Sequence, residues 1–381
     1  MRDHARSSPT TLGVQSAASS LLALFPAAAL AQSPFASRVV SFDPAPGQFV
    51  NIPEFNDPAR ALGPPIGGGA ASPDTAKLVS LGGFGGAITL AFDHPILNQP
   101  PSPENPLGLD LIIFSNAFLV AGDPARRWAE PGVIEVAPDL NRNGLADDPW
   151  FVIRGSHLPP RPIDARASQT WDADTLDPAL PPANPAWIPP GHAAPWSTST
   201  FELLDPIFQP VVLVTSSASE IVWGYADCSP TCVLGDLDSD GAIDDPAAAP
   251  ESFYVVPDDP FTLGITPGSA GGDAINLDWA VDPATGSPAS LIHIDFIRIS
   301  TALRSISPLF GERSTELSAV AEVRLAPPHD PRDFNADGAV NPDDLGDFIN
   351  AYFLADSRAD FNADGDLNPD DLGDFINAYF S

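Results

Sequence analysis

Basic residues are scarce in this chain of 381 residues: 17 Lys and Arg stand against 50 Asp and Glu, and lysine occurs once, at Lys77. The net charge of -33 excludes nucleic acid and anionic membrane surfaces as partners, because binding phosphate needs clustered cations. So negative a chain also repels itself, and bound divalent cations would relieve that repulsion. Cysteine is nearly absent as well. Only Cys228 and Cys232 occur. In an exported protein they are expected to pair as a small disulfide ring, and their C-x-x-x-C spacing is not that of a redox motif. Long apolar runs are missing too, so no membrane-spanning helix is expected. The six histidines are scattered, without the H-x-x-x-H pair of a zinc site. No G-x-S-x-G elbow and no phosphate-binding G-x-x-x-x-G-K-[ST] loop occurs.

What the sequence has in plenty is proline, at 45 residues, and glycine, at 29. That punctuation excludes long helices almost everywhere. Short β-type runs stand between the breakers: Ala87–Phe92, Leu109–Phe114, Gly132–Val136, Trp150–Ile153, Val211–Val214, Glu220–Trp223 and Leu291–Ile299. Ile88, Leu90 and Phe92 alternate with Ala87, Thr89 and Ala91, which predicts a sheet with one face buried. Many short strands with turn-rich loops predict a mainly-β fold, an antiparallel, jelly-roll-like β-sandwich over residues 32–325. Residues 157–200, with Trp171, Trp187 and Trp196, and residues 228–275 read as long loops. Aromatic faces in such a loop either stack on flat ligands or anchor the loop itself. Residues 1–31 read as an export signal: Arg2 and Arg6, an apolar run from Leu21 to Leu30, then a cleavage site at Ala31. The expected location is therefore secreted, extracellular or cell-surface. Residues 326–332 read as a stiff linker.

The last fifty or so residues repeat. Asp333–Phe353 reads DFNADGAVNPDDLGDFINAYF and Asp360–Phe380 reads DFNADGDLNPDDLGDFINAYF. Ca²⁺ takes roughly six to eight oxygen ligands, and an EF-hand-type loop supplies them from positions 1, 3, 5, 7, 9 and 12. In the first repeat these are Asp333, Asn335, Asp337, the Ala339 carbonyl, Asn341 and Asp344. In the second they are Asp360, Asn362, Asp364, the Asp366 carbonyl, Asn368 and Asp371. Gly338 and Gly365 stand where the chain turns sharply. An amphipathic helix is predicted after each loop, from Leu345, Phe348, Ile349 and Tyr352 and from Leu372, Phe375, Ile376 and Tyr379.

This duplicated loop–helix, with Asp rather than Glu at position 12, resembles a dockerin domain over residues 333–381. The resemblance implies a cohesin-type partner that holds the chain on a scaffold or surface. It also implies a docking face that includes Pro342, Asp343 and Asp347, or Pro369, Asp370 and Asp374. The near-identity of the repeats implies a module able to dock either way round.

Shorter Asp-rich loops interrupt the β region. Asp139, Asn141, Asn143, Asp147 and Asp148 surround Gly144, and Asp236, Asp238, Asp240, Asp244 and Asp245 surround Gly241. Each set offers enough hard oxygens for a structural Ca²⁺; Asx-type turns are the plainer reading. The segments Leu81–Gly86, Ser115–Phe118, Glu130–Gly132, the Asp139 loop with Trp150, Trp223–Asp227, Leu277–Asp282, Ile294–Arg298 and Gly311–Glu316 occur in that order. Together they resemble a family of bacterial cell-surface proteins of β-sandwich type. Some relatives bind small ligands such as cobalamin, so a small-molecule surface binder is one implied function.

The leading expectation is a secreted, calcium-binding β-sandwich module on a dockerin, without catalysis of its own, whose ligand is a carbohydrate or small molecule. A dockerin-borne polysaccharide-degrading enzyme is the alternative. Glycoside hydrolysis needs only two carboxylates at the right separation, and Glu130, Glu135, Asp227, Asp278, Asp282, Glu312 and Glu316 are candidates.

Overall fold

The computed structural model describes residues 32–158, 163, 166–172, 184–192, 195–203, 213–214, 222–304, 306–307, 311–325, 332, 334–335, 340–354, 357–362 and 367–380. Chain contacts separate Met1–Gln32 from Ser33–Ser381, and every described strand and helix belongs to the second unit. The expected export signal and most of the linker lie outside the described residues.

The Ile-, Val- and Phe-rich runs form short strands, since β-branched and aromatic side chains pack well on a pleated surface. Seven of them make one antiparallel sheet. Its path runs Arg38–Asp43, Ala87–Leu97, His293–Thr301, Gly132–Ala137, Phe151–Ile153 and Ala280–Val281, with Tyr225–Ala226 paired to Gly132–Ala137. The central register sets Ile297 opposite Leu90 on one side and Val136 on the other. A three-stranded antiparallel sheet, Asp273–Ile275, Leu111–Phe114 and Ala319–Glu322, lies across the core. Alternate residues of both sheets meet there, including Ile88, Leu90, Ile134, Ile299, Leu111, Ile113 and Val320. The fold is thus mainly β and sandwich-like, as expected.

Burial goes further than the alternation predicts. Thr89 and Ala91, on the other face of the Ala87–Leu97 strand, are only 4% and 1% exposed. Phe296 packs on that second face with Ala91 and Ala137. Small side chains there let flanking segments close over the sheet, so neither face is left to solvent in this stretch. The described parts of residues 157–200 also hold more order than a loop. Ala167–Trp171 and Trp196–Thr200 pair as antiparallel strands, with Trp171 opposite Trp196. Trp171 packs on Ala45 and Phe84, and its indole N–H donates to Thr198 Oγ1 at 2.9 Å. The Trp187 carbonyl accepts from the Gly47 N–H at 3.0 Å. These aromatics anchor the segment. The Glu220–Trp223 run does not form the predicted strand in its described part; the pairing falls on Tyr225–Ala226 instead.

The disulfide expected between Cys228 and Cys232 is not formed, and both thiols are free and buried. Cys228 packs with Val133, Val152 and Tyr225. Cys232 packs in another cluster, with Phe114, Phe253 and Tyr254. The chain between them crosses from one cluster to the other and carries the two side chains apart. Burial pushes the Cys232 thiol up to about 12 and Cys228 well above its ordinary value. Neither is a ready thiolate.

The C-terminal repeats form the two expected helices, Pro342–Phe353 and Pro369–Tyr379. Asn341 and Asn368 cap them, and Asp344 and Asp371 complete a capping box in each. Phe348 and Phe375 stack with centroids 3.9 Å apart and planes 3° from parallel, while Phe334 and Phe361 meet them edge-on. This aromatic core lets a pair of single loop–helix units bury a face that neither could bury alone.

Candidate calcium sites

The Asp236 loop shows how an Asp-rich turn becomes a candidate site. Ser239 at φ 64° and Gly241 at φ 91° fold it back on itself. Backbone N–H groups then point inward. Asp236 Oδ2 accepts from the Gly241 N–H at 3.0 Å, and Asp244 Oδ2 accepts from the Leu237 N–H at 2.8 Å. Gly235, at φ 81°, bonds the far side through its carbonyl to the Asp244 and Asp245 N–H groups at 2.8 and 2.9 Å. A ligand oxygen from each of Asp236, Asp238 and Asp244 lies within 4.8 Å of the others. Asp236 is fully buried, yet its Oδ1 has no hydrogen-bond partner. A buried, unsatisfied carboxylate oxygen costs free energy unless a cation or donor meets it. These residues therefore fit Ca²⁺. Asp240 and Asp245 are not part of the group: their carboxylates accept from Ala242 and Ala247 N–H, at 2.7 and 2.9 Å, and shape the turn.

The Asp139 loop has the same fold, with Arg142 at φ 57° and Gly144 at φ 73° in the matching places. Its carboxylates are already engaged. Asp139 accepts from Asn143 and Gly144 N–H at 3.0 and 2.7 Å. Asp147 faces the amide nitrogens of Asn141 and Asn143 at 3.1–3.3 Å. Asp148 holds the Leu140 N–H at 3.0 Å. The network is that of nested Asx turns, anchored to the sheet where Asp295 accepts from the Asp139 N–H at 2.7 Å.

In the C-terminal repeats Asp333, Asp337, Ala339, Asp364 and Asp366 lie outside the described residues. The rest match one another closely. Asp344 accepts from the N–H of Asn335 at 3.2 Å and of Asn341 at 2.8 Å. Asp371 does the same with Asn362 at 3.3 Å and Asn368 at 2.8 Å. Hydrogen bonds from the backbone, Asn368 first, hold the Asp371 carboxyl below its ordinary value. Asp360, Asn362, Asn341 and Asn368 border these turns. Pro342, Asp343, Asp347, Pro369, Asp370 and Asp374 are all exposed. So are Phe353 and Phe380, 77% and 74% exposed at matching helix ends.

The carboxylates named as possible glycosidase pairs separate into different fates. Glu135 is clamped by Arg298, at 2.9 and 2.8 Å, and by Arg166. Asp278 accepts from Asn98 at 2.8 Å. Asp282 closes a turn on Ala284 and Thr285. Glu130, Asp227, Glu312 and Glu316, by contrast, come together. Burial raises all four: Glu312 to about 8, Glu130 and Asp227 well above their ordinary values, and Glu316 in the same direction.

An aromatic group went unnoticed in the sequence. Trp223, Phe261 and Trp279 meet edge-to-face with centroids 5.0–5.7 Å apart, and Phe261 is 39% exposed. Spacing could not reveal it, because three distant segments supply one ring each. A cleft of about 470 Å³ borders the Asp236 loop, lined by Gly68–Ser72, Leu119, Asp238–Gly241 and Ile265. No protein-family model matches this chain, and no curated protein matches it.

Proposed function

We propose that this chain is an exported, calcium-dependent binding protein whose C-terminal dockerin-like module attaches it to a cohesin-type partner. One observation carries the reading: two near-identical repeats close around buried Asp344 and Asp371 and stack through Phe348 and Phe375. In an EF-hand-type loop the position-12 carboxylate ties the loop to its helix, which is what each of these aspartates does. The six expected docking residues are exposed in matching pairs, as a module that docks either way round requires. The test uses the full chain. In Ca²⁺, amides of residues 342–353 and 369–379 should be protected from hydrogen exchange, and EGTA should remove that protection. Exchange indifferent to Ca²⁺ would reject the loop assignment. Capture by immobilised cohesin modules in Ca²⁺, lost in EGTA, would test the partner class.

The sandwich then supplies the binding function. Trp223, Phe261 and Trp279 favour a ligand that presents an apolar face, such as the C–H face of a sugar ring or a small macrocycle, since aromatic faces give area and polarisable contact. The acidic cluster does not favour glycoside hydrolysis. Asp227 and Glu316 are 1% and 3% exposed, so a sugar has no place between them. A panel of polysaccharides and corrinoids, read by tryptophan fluorescence and by released reducing sugar, separates binding from hydrolysis. Reducing sugar released in step with enzyme concentration would overturn the non-catalytic reading.

A further inference from the structure

Four sequence segments that lie far apart meet at one buried place. They are Ser115-Asn116, Glu130-Pro131-Gly132, Ala226-Asp227 and Ser314-Thr315-Glu316. Hydrogen bonds hold three of them to one another, and the Ser115 and Asn116 side chains face Asp227 and Glu316. The Glu130 N–H donates to the Asp227 carbonyl at 3.1 Å. The Glu316 N–H donates to Asp227 Oδ2 at 2.9 Å. Thr315 Oγ1 donates to the Glu130 carbonyl at 2.8 Å. Asp227 adopts φ 61°, a left-handed conformation uncommon outside glycine, which Asp tolerates better than most side chains. Strain of that kind persists where the surroundings over-determine it, often at functional sites.

The side chains that result are three carboxylates facing one another. A ligand oxygen from each of Glu130, Asp227 and Glu316 lies within 4.8 Å of the others. Ca²⁺–oxygen distances are roughly 2.3–2.6 Å, so ligands on opposite sides of one ion stand about twice that apart. The spacing suits oxygens sharing a single cation. Asp227 is 1% exposed and its Oδ1 has no hydrogen-bond partner. Glu312 Oε2, buried nearby, likewise has none, while Ser115 faces Asp227 and Ser314 Oγ donates to Glu316 Oε1 at 2.5 Å. Glu130 alone of the three keeps contact with solvent, which leaves the group a way in.

We propose that Glu130, Asp227 and Glu316 form a buried site for a hard divalent cation of the calcium type, distinct from the Asp-rich loops. The donors are all oxygens, which selects against zinc and copper. Burial disfavours Mg²⁺, which gives up its waters reluctantly. Glu312 and Ser115 supply further oxygens at the edge of the site. The ion would join the Gly132–Ala137 and Tyr225–Ala226 pairing to the Glu316–Leu317 strand, which belongs to a different sheet, paired with Val79–Ser80. It would thus cross-link the sandwich, which the unpaired cysteines do not do. Without it, neighbouring carboxylates share protons to limit their repulsion, as a Glu130–Glu316 hydrogen bond allows.

The test counts ions on the full chain. Protein is loaded with Ca²⁺, freed of excess and weighed by native mass spectrometry. Asp227→Asn and Glu316→Gln should each carry one Ca²⁺ fewer than the wild type, and Asp227→Asn combined with Asp236→Asn should carry two fewer. An Asp227→Asn count equal to the wild type overturns the proposal and leaves the loop reading intact, because the Asp236→Asn count reports the loop separately. If the variants do not fold, anomalous scattering from wild-type crystals grown in Ca²⁺ decides. A peak bound by Glu130, Asp227 and Glu316 is expected; its absence, with peaks in the loops, overturns the site. A thermal readout adds a change of sign: Asp227→Asn should lower the Tm in Ca²⁺ and raise it in EGTA. The same sign in both would mean the carboxylates hold only protons.

Discussion

The Asp236 loop and the Glu130–Asp227–Glu316 cluster each gather three carboxylates within 4.8 Å, but they are built in different ways. In the loop, the residues come from one stretch of chain, and its turn aims them. Asp238 and Asp244 remain exposed, so water shares the cost of their charge. In the cluster, the residues come from three segments of the sandwich. Asp227 and Glu316 are shut away from water, and burial drives them toward their neutral forms. Local chain geometry makes a site that can open and close alone. Tertiary assembly makes one that stands or falls with the fold.

Substitutions should separate the two. The largest effect is expected from Glu316→Ala in Ca²⁺, which strips a buried partner from the group. Breaking such a group costs about 3–5 kcal/mol, and for a domain of this size the Tm should drop by roughly 6–15 °C. A drop confined to the loops, with the global transition unmoved, would erase the distinction. Asp110 is the control, a buried carboxylate outside the three-carboxylate groups that accepts from Gln99 and Leu277 N–H at 2.7 Å and lies near Asp278. Burial raises it from 3.8 to about 7. The folded state therefore holds a proton that the unfolded chain releases. Its contribution is complete below the unfolded value and is lost as pH rises through about 7. The wild-type Tm should fall by a few degrees from pH 4 to 7.5, and Asp110→Asn should flatten part of that slope.

Smaller effects should come from the local turns. Asp236→Ala should expose residues 236–245 to protease in Ca²⁺ while moving the global Tm by less than about 3 °C, since only the loop loses the proposed ion and its Gly241 bond. Asp344→Ala and Asp371→Ala should each cost about 1 kcal/mol of helix stability through the lost capping box. The two costs should be equal within error, as hydrogen exchange of each helix would show; a large inequality would break the symmetry on which the proposed either-way docking depends. The least effect, about 0.5 kcal/mol, is expected from Asp139→Asn, because an exposed turn retains most of its Asx bonding.

Much of the molecule was legible in the residues alone wherever short-range rules decide. The predicted runs marked six of the nineteen described strands, although the pairing of Tyr225–Ala226 fell beyond the predicted Glu220–Trp223 run; the unmarked strands are mostly two or three residues long, too short to show a period. The helical spacing of Leu345, Phe348, Ile349 and Tyr352, and of Leu372, Phe375, Ile376 and Tyr379, marked the two helices, because an apolar stripe needs only neighbours three or four residues away. The Asp loops were visible for the same reason. The disulfide was misread because spacing permits a bond that packing forbids: Cys228 and Cys232 are drawn into different apolar clusters. Trp171 and Trp196 gave no sign of whether they would serve a ligand or the loop, and strand pairing turned them inward.

By itself, then, the sequence determined the mainly-β architecture, the duplicated loop–helix units and the local Asp turns, all set by chemistry between residues a few positions apart. Only the tertiary structure decided which of fifty acidic side chains share a site. The seven-stranded sheet and the separate Glu316–Leu317 pair had to come together before Glu130, Asp227 and Glu316 could meet. The energy of a charge depends on how much water and how many neighbours surround it, and neither is written in the spacing of residues along a chain.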